Sequence, residues 1–127
     1  MTIVTVSQVT HAFGRTPPVL HDVSFTVDDA ELVVLAGRSG SGKTTLLHLV
    51  AGVMPPTGGE VTVLGRAAGS VGDWAEVALM PQRSAVAPEL SVRENVGLAA
   101  ALRGRTVADG LLRSLGLLEI ADRAATE

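Results

Sequence analysis

The stretch Gly37-Arg38-Ser39-Gly40-Ser41-Gly42-Lys43-Thr44-Thr45 decides how this chain is read. It satisfies the pattern Gly-x-x-x-x-Gly-Lys-[Ser/Thr], which carries meaning only between a strand and a helix. Both flanks are present. Leu32-Val33-Val34-Leu35-Ala36 is the continuous apolar run expected of a buried parallel strand. Leu46-Leu47-His48-Leu49-Val50-Ala51 favours helix and is stopped by Gly52.

The residue types explain the chemistry. Gly37, Gly40 and Gly42 admit backbone angles closed to other residues and let main-chain N–H groups gather around an anion. The first turn of the following helix adds free N–H groups and the positive end of its dipole. Lys43 supplies a mobile charge for the β- and γ-phosphates of a nucleotide. Thr44 supplies a hydroxyl suited to Mg²⁺, and Thr45 one suited to phosphate; Ser39 and Ser41 are lesser donors. The competing reading is a glycine- and serine-rich turn entering an ordinary helix, and the matching flanks weigh against it.

Composition narrows the class. The chain has 127 residues, 46% of them hydrophobic, enough for one domain or less. Lysine and arginine total 10 against 13 acidic residues, and no basic cluster points to nucleic acid. The absence of cysteine excludes disulfides and thiolate metal sites and suits a reducing compartment. Met1-Thr2-Ile3-Val4-Thr5 lacks the pattern of a signal peptide, and no apolar run has the length of a bilayer span. These features predict a soluble intracellular chain.

Ile3–Val9, rich in β-branched residues, reads as a strand at a sheet edge. Val23, Phe25 and Val27 alternate on one face of a second strand, and Asp28-Asp29-Ala30 turns into the central one. Past the loop helix, Met54–Gly59 is a turn cluster, Glu60–Leu64 a strand, Gly65–Asp73 a loop, and Val77–Met80 a short strand ended by Pro81-Gln82. Ser91-Val92-Arg93-Glu94 is a capping box that predicts a helix to about Arg103, closed by Gly104. Thr106 is positioned to cap another helix to Leu115, closed by Gly116, and Leu117–Arg123 suggests a further helical turn. The predicted fold is α/β: a core over 1–83, comprising a β-meander and a partial parallel sheet with the phosphate-loop helix, then a small helical region over 84–127.

Phe13, before Gly14, reads either as a ring stacking on adenine or as a core or rim aromatic. Gln82 reads as a carbonyl ligand for Mg²⁺, as a residue orienting water, or as a solvated strand end. His11, His21 and His48 share no metal-ligand spacing, and Trp74 carries no assignable chemistry. Arg93 and Glu94 read as cap and surface charges. No apolar strand ends in Asp or Glu; Glu119, in Leu117-Leu118-Glu119, falls in a helical stretch. The phosphate cradle therefore has no evident catalytic base, and no residue is assigned as catalytic.

With these residues in place, the whole chain resembles the ATP-binding subunit of ABC transporters. Gly37–Thr45 matches that family's Walker A motif, Phe13 falls at the A-loop aromatic that stacks on adenine, and Gln82 matches the Q-loop glutamine. Pro56-Thr57-Gly58-Gly59-Glu60-Val61 and Leu90-Ser91-Val92-Arg93-Glu94-Asn95-Val96 resemble further stretches typical of the family. The resemblance implies a P-loop NTPase fold with ATP and Mg²⁺ as ligands. The partners it implies are a second ATP-binding subunit and a membrane permease docked through Gln82–Asn95, on the cytoplasmic face of the membrane. Details after Gln82 resemble the lipoprotein-release or macrolide-export branch more than sugar importers.

The chain ends at Ala121–Glu127, where the family continues into its Leu-Ser-Gly-Gly-Gln signature; that signature and the Walker B carboxylates do not follow. The resemblance therefore implies a truncated nucleotide-binding domain that holds ATP, with the ATPase activity of the family in doubt for this chain alone. It also implies that Leu32–Ala36 exposes backbone edges and apolar faces. The rival readings are a nucleotide-binding chain without hydrolysis, a soluble phosphate-loop kinase, and an ABC-type ATPase outside transport.

Overall fold

The computed structural model describes residues 1–72, 76–83 and 85–126. Trp74 and the Asp73 end of the expected loop lie outside them. The chain forms two compact units, Met1–Leu79 and Met80–Glu127.

In the first unit, β1 (Thr2–His11) pairs antiparallel with β2 (Leu20–Asp28) on one side and β3 (Gly58–Val63) on the other. A two-residue β4 (Arg66–Ala67) completes the sheet in the order β2-β1-β3-β4. The expected edge strand is therefore an interior one. Val6 faces Phe25 across one ladder and Val61 across the other. Helix α1 (Lys43–Val50) lays Leu46 and Leu49 on Val6, Val9, Val61 and Val63, with Leu20 and Ala68 filling in.

The spacing of the buried valines explains an irregularity in the sheet. Val4 and Val6 stand two apart, as one strand face requires, but Val9 stands three beyond Val6. A single extra residue restores the phase. Register shifts fall between Val6 and Val9, and Gln8 takes φ 48°. Its N–H, turned from the ladder, donates to Ser24 Oγ at 2.8 Å. The same device acts in β2, where Leu20 precedes Val23 by three. Asp22 takes φ 48° and donates its N–H to Thr10 Oγ1 at 3.2 Å. Both bulges keep apolar side chains on the core face.

The bulge also dictates Gly59. A Cβ there would stand 2.3 Å from the Gln8 carbonyl oxygen and 2.5 Å from that of Ser7, so only glycine admits this approach.

Leu32–Ala36, expected as a parallel strand, forms no strand. The described sheet is wholly antiparallel, and no described strand lies beside the run to complete a ladder. Its alternation persists nonetheless. Val33 and Leu35 line an apolar pocket with Val4, Phe25, Leu46 and Val50, while Leu32 and Val34 are 90% and 80% exposed. Val77–Met80 likewise forms no strand, although Val77 packs against the core. A strand is a relation between two chains, and hydrophobicity alone does not supply the partner.

In the second unit, the capping box forms as spaced: Glu94 N–H donates to Ser91 Oγ at 3.2 Å and Ser91 N–H to Glu94 Oε2 at 2.8 Å. They open α2 (Val92–Ala101). Asn95 ties the preceding loop to the helix, accepting from Ala87 N–H at 2.7 Å and donating to the carbonyls of Ala87 and Ser91, each at 3.0 Å. The next helix, α3 (Asp109–Ser114), starts beyond Thr106 and has Ala108 at its N-cap. Val107 packs on Gly97, where a Cβ would lie 3.3 Å from Val107 Cγ2, which anchors the segment ahead of α3. A 3₁₀ turn over Leu118–Ile120 stands where the last helical turn was expected.

Arg93 does more than its expected surface role. It donates to Asp109 at 2.5 Å and to Asp122 at 3.1 Å, joining the starts of α2 and α3 to the chain's last segment. Its hydrogen bonds to Asp109, first, and to Asp122 raise its pKa above the ordinary arginine value. Among the described residues no helix is long and apolar enough to cross a membrane.

Candidate functional site

The loop before α1 is built around the N-cap Gly42, at φ 94° and ψ 7°. This left-handed conformation turns the chain sharply into the helix. No side chain caps α1 and its first turn carries no acidic residue. The opening N–H groups thus remain donors toward an outside acceptor, at the positive end of the helix dipole.

Lys43 is held across the loop. Its Nζ donates to the carbonyl oxygens of Gly37 at 2.8 Å and Arg38 at 2.7 Å, and to Ser41 Oγ at 3.2 Å. Ser41 N–H closes a turn onto the Arg38 carbonyl at 3.1 Å. The ammonium thus spans both limbs of the glycine loop, and its three protons can be exchanged for phosphate oxygens. Thr44 is exposed and Thr45 half-buried, both in the first turn of α1; Ser39 is exposed at the loop's crest. Gly37 and Gly40 complete the curve.

Phe13 lies in the same unit, beyond the end of β1, and is 50% exposed. The turn carrying it is closed by Thr16, whose hydroxyl donates to the Phe13 carbonyl at 2.7 Å. Two contacts connect this turn to the phosphate loop. Val19 N–H donates to the His11 carbonyl at 2.8 Å, and the Val19 carbonyl oxygen stands 2.9 Å from where a Gly42 Cβ would be. Gln82 belongs to the other unit, where it is exposed in a bend.

Two residues that the spacing did not single out join this neighbourhood. His11 is buried with its ring edge-to-face on Phe13, centroids 4.8 Å apart, and Thr57 Oγ1 accepts from Ala12 N–H at 3.1 Å. Thr57 lies 45 residues from Ala12, beyond the reach of any local motif.

A glycine loop crossed by its own lysine and opening onto an uncapped helix has the form of a phosphate loop. The comparisons with known proteins agree. A family profile described as ABC transporter matches residues 20–127. The chain belongs to that family. It is 34% identical over 110 residues to the sn-glycerol-3-phosphate import ATP-binding protein UgpC of Ruegeria sp. (strain TM1040), covering 86% of this chain and 31% of that protein. The taurine import ATP-binding protein TauB of Mesorhizobium japonicum is 39% identical over 110 residues, 87% of this chain and 42% of that one. An O-antigen export system ATP-binding protein of Klebsiella pneumoniae is 45% identical over 91 residues, 72% of this chain and 33% of its own length. Proteins named for import and for export thus stand side by side, and the chain spans less than half of each. A solved structure titled as the ATP-binding subunit of an ABC transporter superposes with a TM-score of 0.82 at 27% identity, over 99% of this chain and 55% of the other.

Proposed function

We propose that this chain is the Walker A portion of an ABC transporter ATP-binding subunit and that it binds Mg-ATP. The observation that carries the reading is Lys43 spanning the Gly37–Ser41 limb in front of an uncapped helix. Gly37–Thr45 receives the phosphates, with Ser39, Gly40, Ser41, Gly42 and Thr45 as donors and Lys43 as the mobile charge. Phe13 stacks on adenine. Thr44 and Gln82 provide oxygen ligands for Mg²⁺, whose charge offsets that of the β- and γ-phosphates when bound. The fit to an anion rests on the uncapped first turn and on glycine at Gly42.

For the whole protein the proposed role is coupling ATP binding and hydrolysis to transport. Its partners are a second ATP-binding subunit and a permease engaged through Gln82–Asn95, which holds it to the cytoplasmic side of the membrane. The relatives' titles support transport and name both directions. Within this chain the proposal extends to holding ATP, because no apolar strand expected from its sequence ends in the Asp or Glu that would polarise an attacking water.

Titration calorimetry with Mg-ATP tests the reading. Lys43→Ala removes charged hydrogen bonds and weakens binding by about 10- to 100-fold. Unchanged affinity in that variant would sink the proposal. A phosphate-release assay separates holding from turnover: a rate abolished by Lys43→Ala would assign hydrolysis to this chain as well.

A further inference from the structure

We propose that His11 and Thr57 are positioning residues for Phe13, setting the ring that receives the nucleotide base. The inference rests on the reading of Phe13 as the base-stacking ring and adds what holds that ring in place.

The hydrogen bonds converge on one hydroxyl. Thr57 Oγ1 accepts from Ala12 N–H at 3.1 Å and lies 3.4 Å from both the Ala12 carbonyl oxygen and His11 Nδ1. A hydroxyl has one proton and two lone pairs. His11 is only 7% exposed, and its Nε2 is buried with no hydrogen-bond partner among the described residues. A proton on Nε2 would be a buried N–H without an acceptor, a rarer defect than an under-used lone pair. With the proton on Nδ1, His11 donates to Thr57, Thr57 donates to the Ala12 carbonyl, and Ala12 N–H takes the other lone pair. That tautomer, assigned from the pattern of partners, uses every polar atom of the cluster except Nε2.

The consequence falls on Phe13. Its neighbour Ala12 is pinned by both backbone groups to Thr57, at the entry to β3. Its ring packs edge-to-face on an imidazole held by the same hydroxyl, centroids 4.8 Å apart and planes at 82°. Phe13 therefore keeps a defined orientation while half its surface stays open. A preorganised ring loses less freedom on stacking than a mobile one. Thr57 and His11 thus act on the base half of the ligand and leave the phosphate half untouched.

The full chain and its variants are titrated with ATP and with inorganic tripolyphosphate. Wild type is expected to prefer ATP, and Phe13→Ala to lose that preference. Thr57→Val and His11→Ala should each weaken ATP by about 3- to 10-fold, the range of one hydrogen bond, with tripolyphosphate unchanged. Thr57→Ser should restore wild-type behaviour. If Phe13→Ala loses the preference while Thr57→Val and His11→Ala keep it, the positioning role is overturned. Parallel loss of both ligands in the Thr57 and His11 variants overturns it too, as a general effect on folding. If Phe13→Ala keeps the preference, the base-stacking reading fails first and takes this inference with it. Long-range ¹H–¹⁵N spectra of wild-type imidazoles test the arrangement without any variant: His11 as the Nδ1–H tautomer supports it, and the Nε2–H tautomer refutes it.

Discussion

Gly42 faces Leu20 so closely that a methyl group on it would stand 2.8 Å from Leu20 Cδ2 and 2.9 Å from the Val19 carbonyl oxygen. The glycine that opens the loop helix is therefore also the point where the start of β2 presses on the loop. Alanine there meets a positive φ and a rigid backbone neighbour together. Gly42→Ala should cost about 2–4 kcal/mol, combining left-handed strain with overpacking. Gly69→Ala, with open space around the position, should stay within about 0.5 kcal/mol of wild type. Urea unfolding monitored by circular dichroism compares the two.

Gly59 makes the matching prediction for the sheet. Its approach to the Gln8 and Ser7 carbonyls leaves nowhere for a side chain to go, and those oxygens belong to the strand it pairs beside. Gly59→Ala should therefore part β1 from β3 locally and cost at least about 3 kcal/mol, near the upper end for a single substitution. Hydrogen exchange reads the effect directly: the ladder amides around Ser7 and Glu60 should lose protection ahead of those between β1 and β2.

The two faces of Leu32–Ala36 should respond oppositely to substitution. Leu35 packs against the core, and Leu35→Ala should destabilise the first unit by about 2 kcal/mol. Leu32 and Val34 project outward, so the double change Leu32→Lys, Val34→Lys should leave the unfolding midpoint nearly unchanged. Light scattering at rising protein concentration should fall in that variant, because an exposed apolar strip favours association. A double variant as destabilised as Leu35→Ala would show instead that both faces are buried in solution.

In the second unit, Ser91→Ala removes one half of the reciprocal cap on α2 and should cost about 1 kcal/mol. Ser91→Asp keeps an acceptor for the Glu94 amide and should recover most of it. The exchange rate of the Glu94 amide is the local measure.

What could be read without a structure was whatever is written in adjacent residues. The loop pattern, the alternation of Val23, Phe25 and Val27, and the Ser91–Glu94 box all close within a few positions, so their geometry follows from spacing. Thr106 had the right chemistry for a cap, yet α3 begins beyond it, because Val107 is claimed by packing against Gly97. Arg93 looked like a surface charge because neither Asp109 nor Asp122 is near it in sequence. His11 carried no motif, and the family-like stretch around Thr57 did not reveal its role, since that lies in a hydroxyl arriving from 45 residues along the chain.

Amino-acid order alone therefore determined that a glycine loop delivers Lys43 to the start of a helix, and where that helix lies. Those features rest on backbone freedom at glycines and on hydrogen bonds within one turn. Tertiary structure decided that β1 is interior, that Leu32–Ala36 forms no ladder, and that bulges at Gln8 and Asp22 re-phase two strands. It also decided what surrounds Phe13. Each of these is a pairing between segments distant in sequence, settled by how apolar faces and orphaned N–H groups find partners when the chain closes on itself.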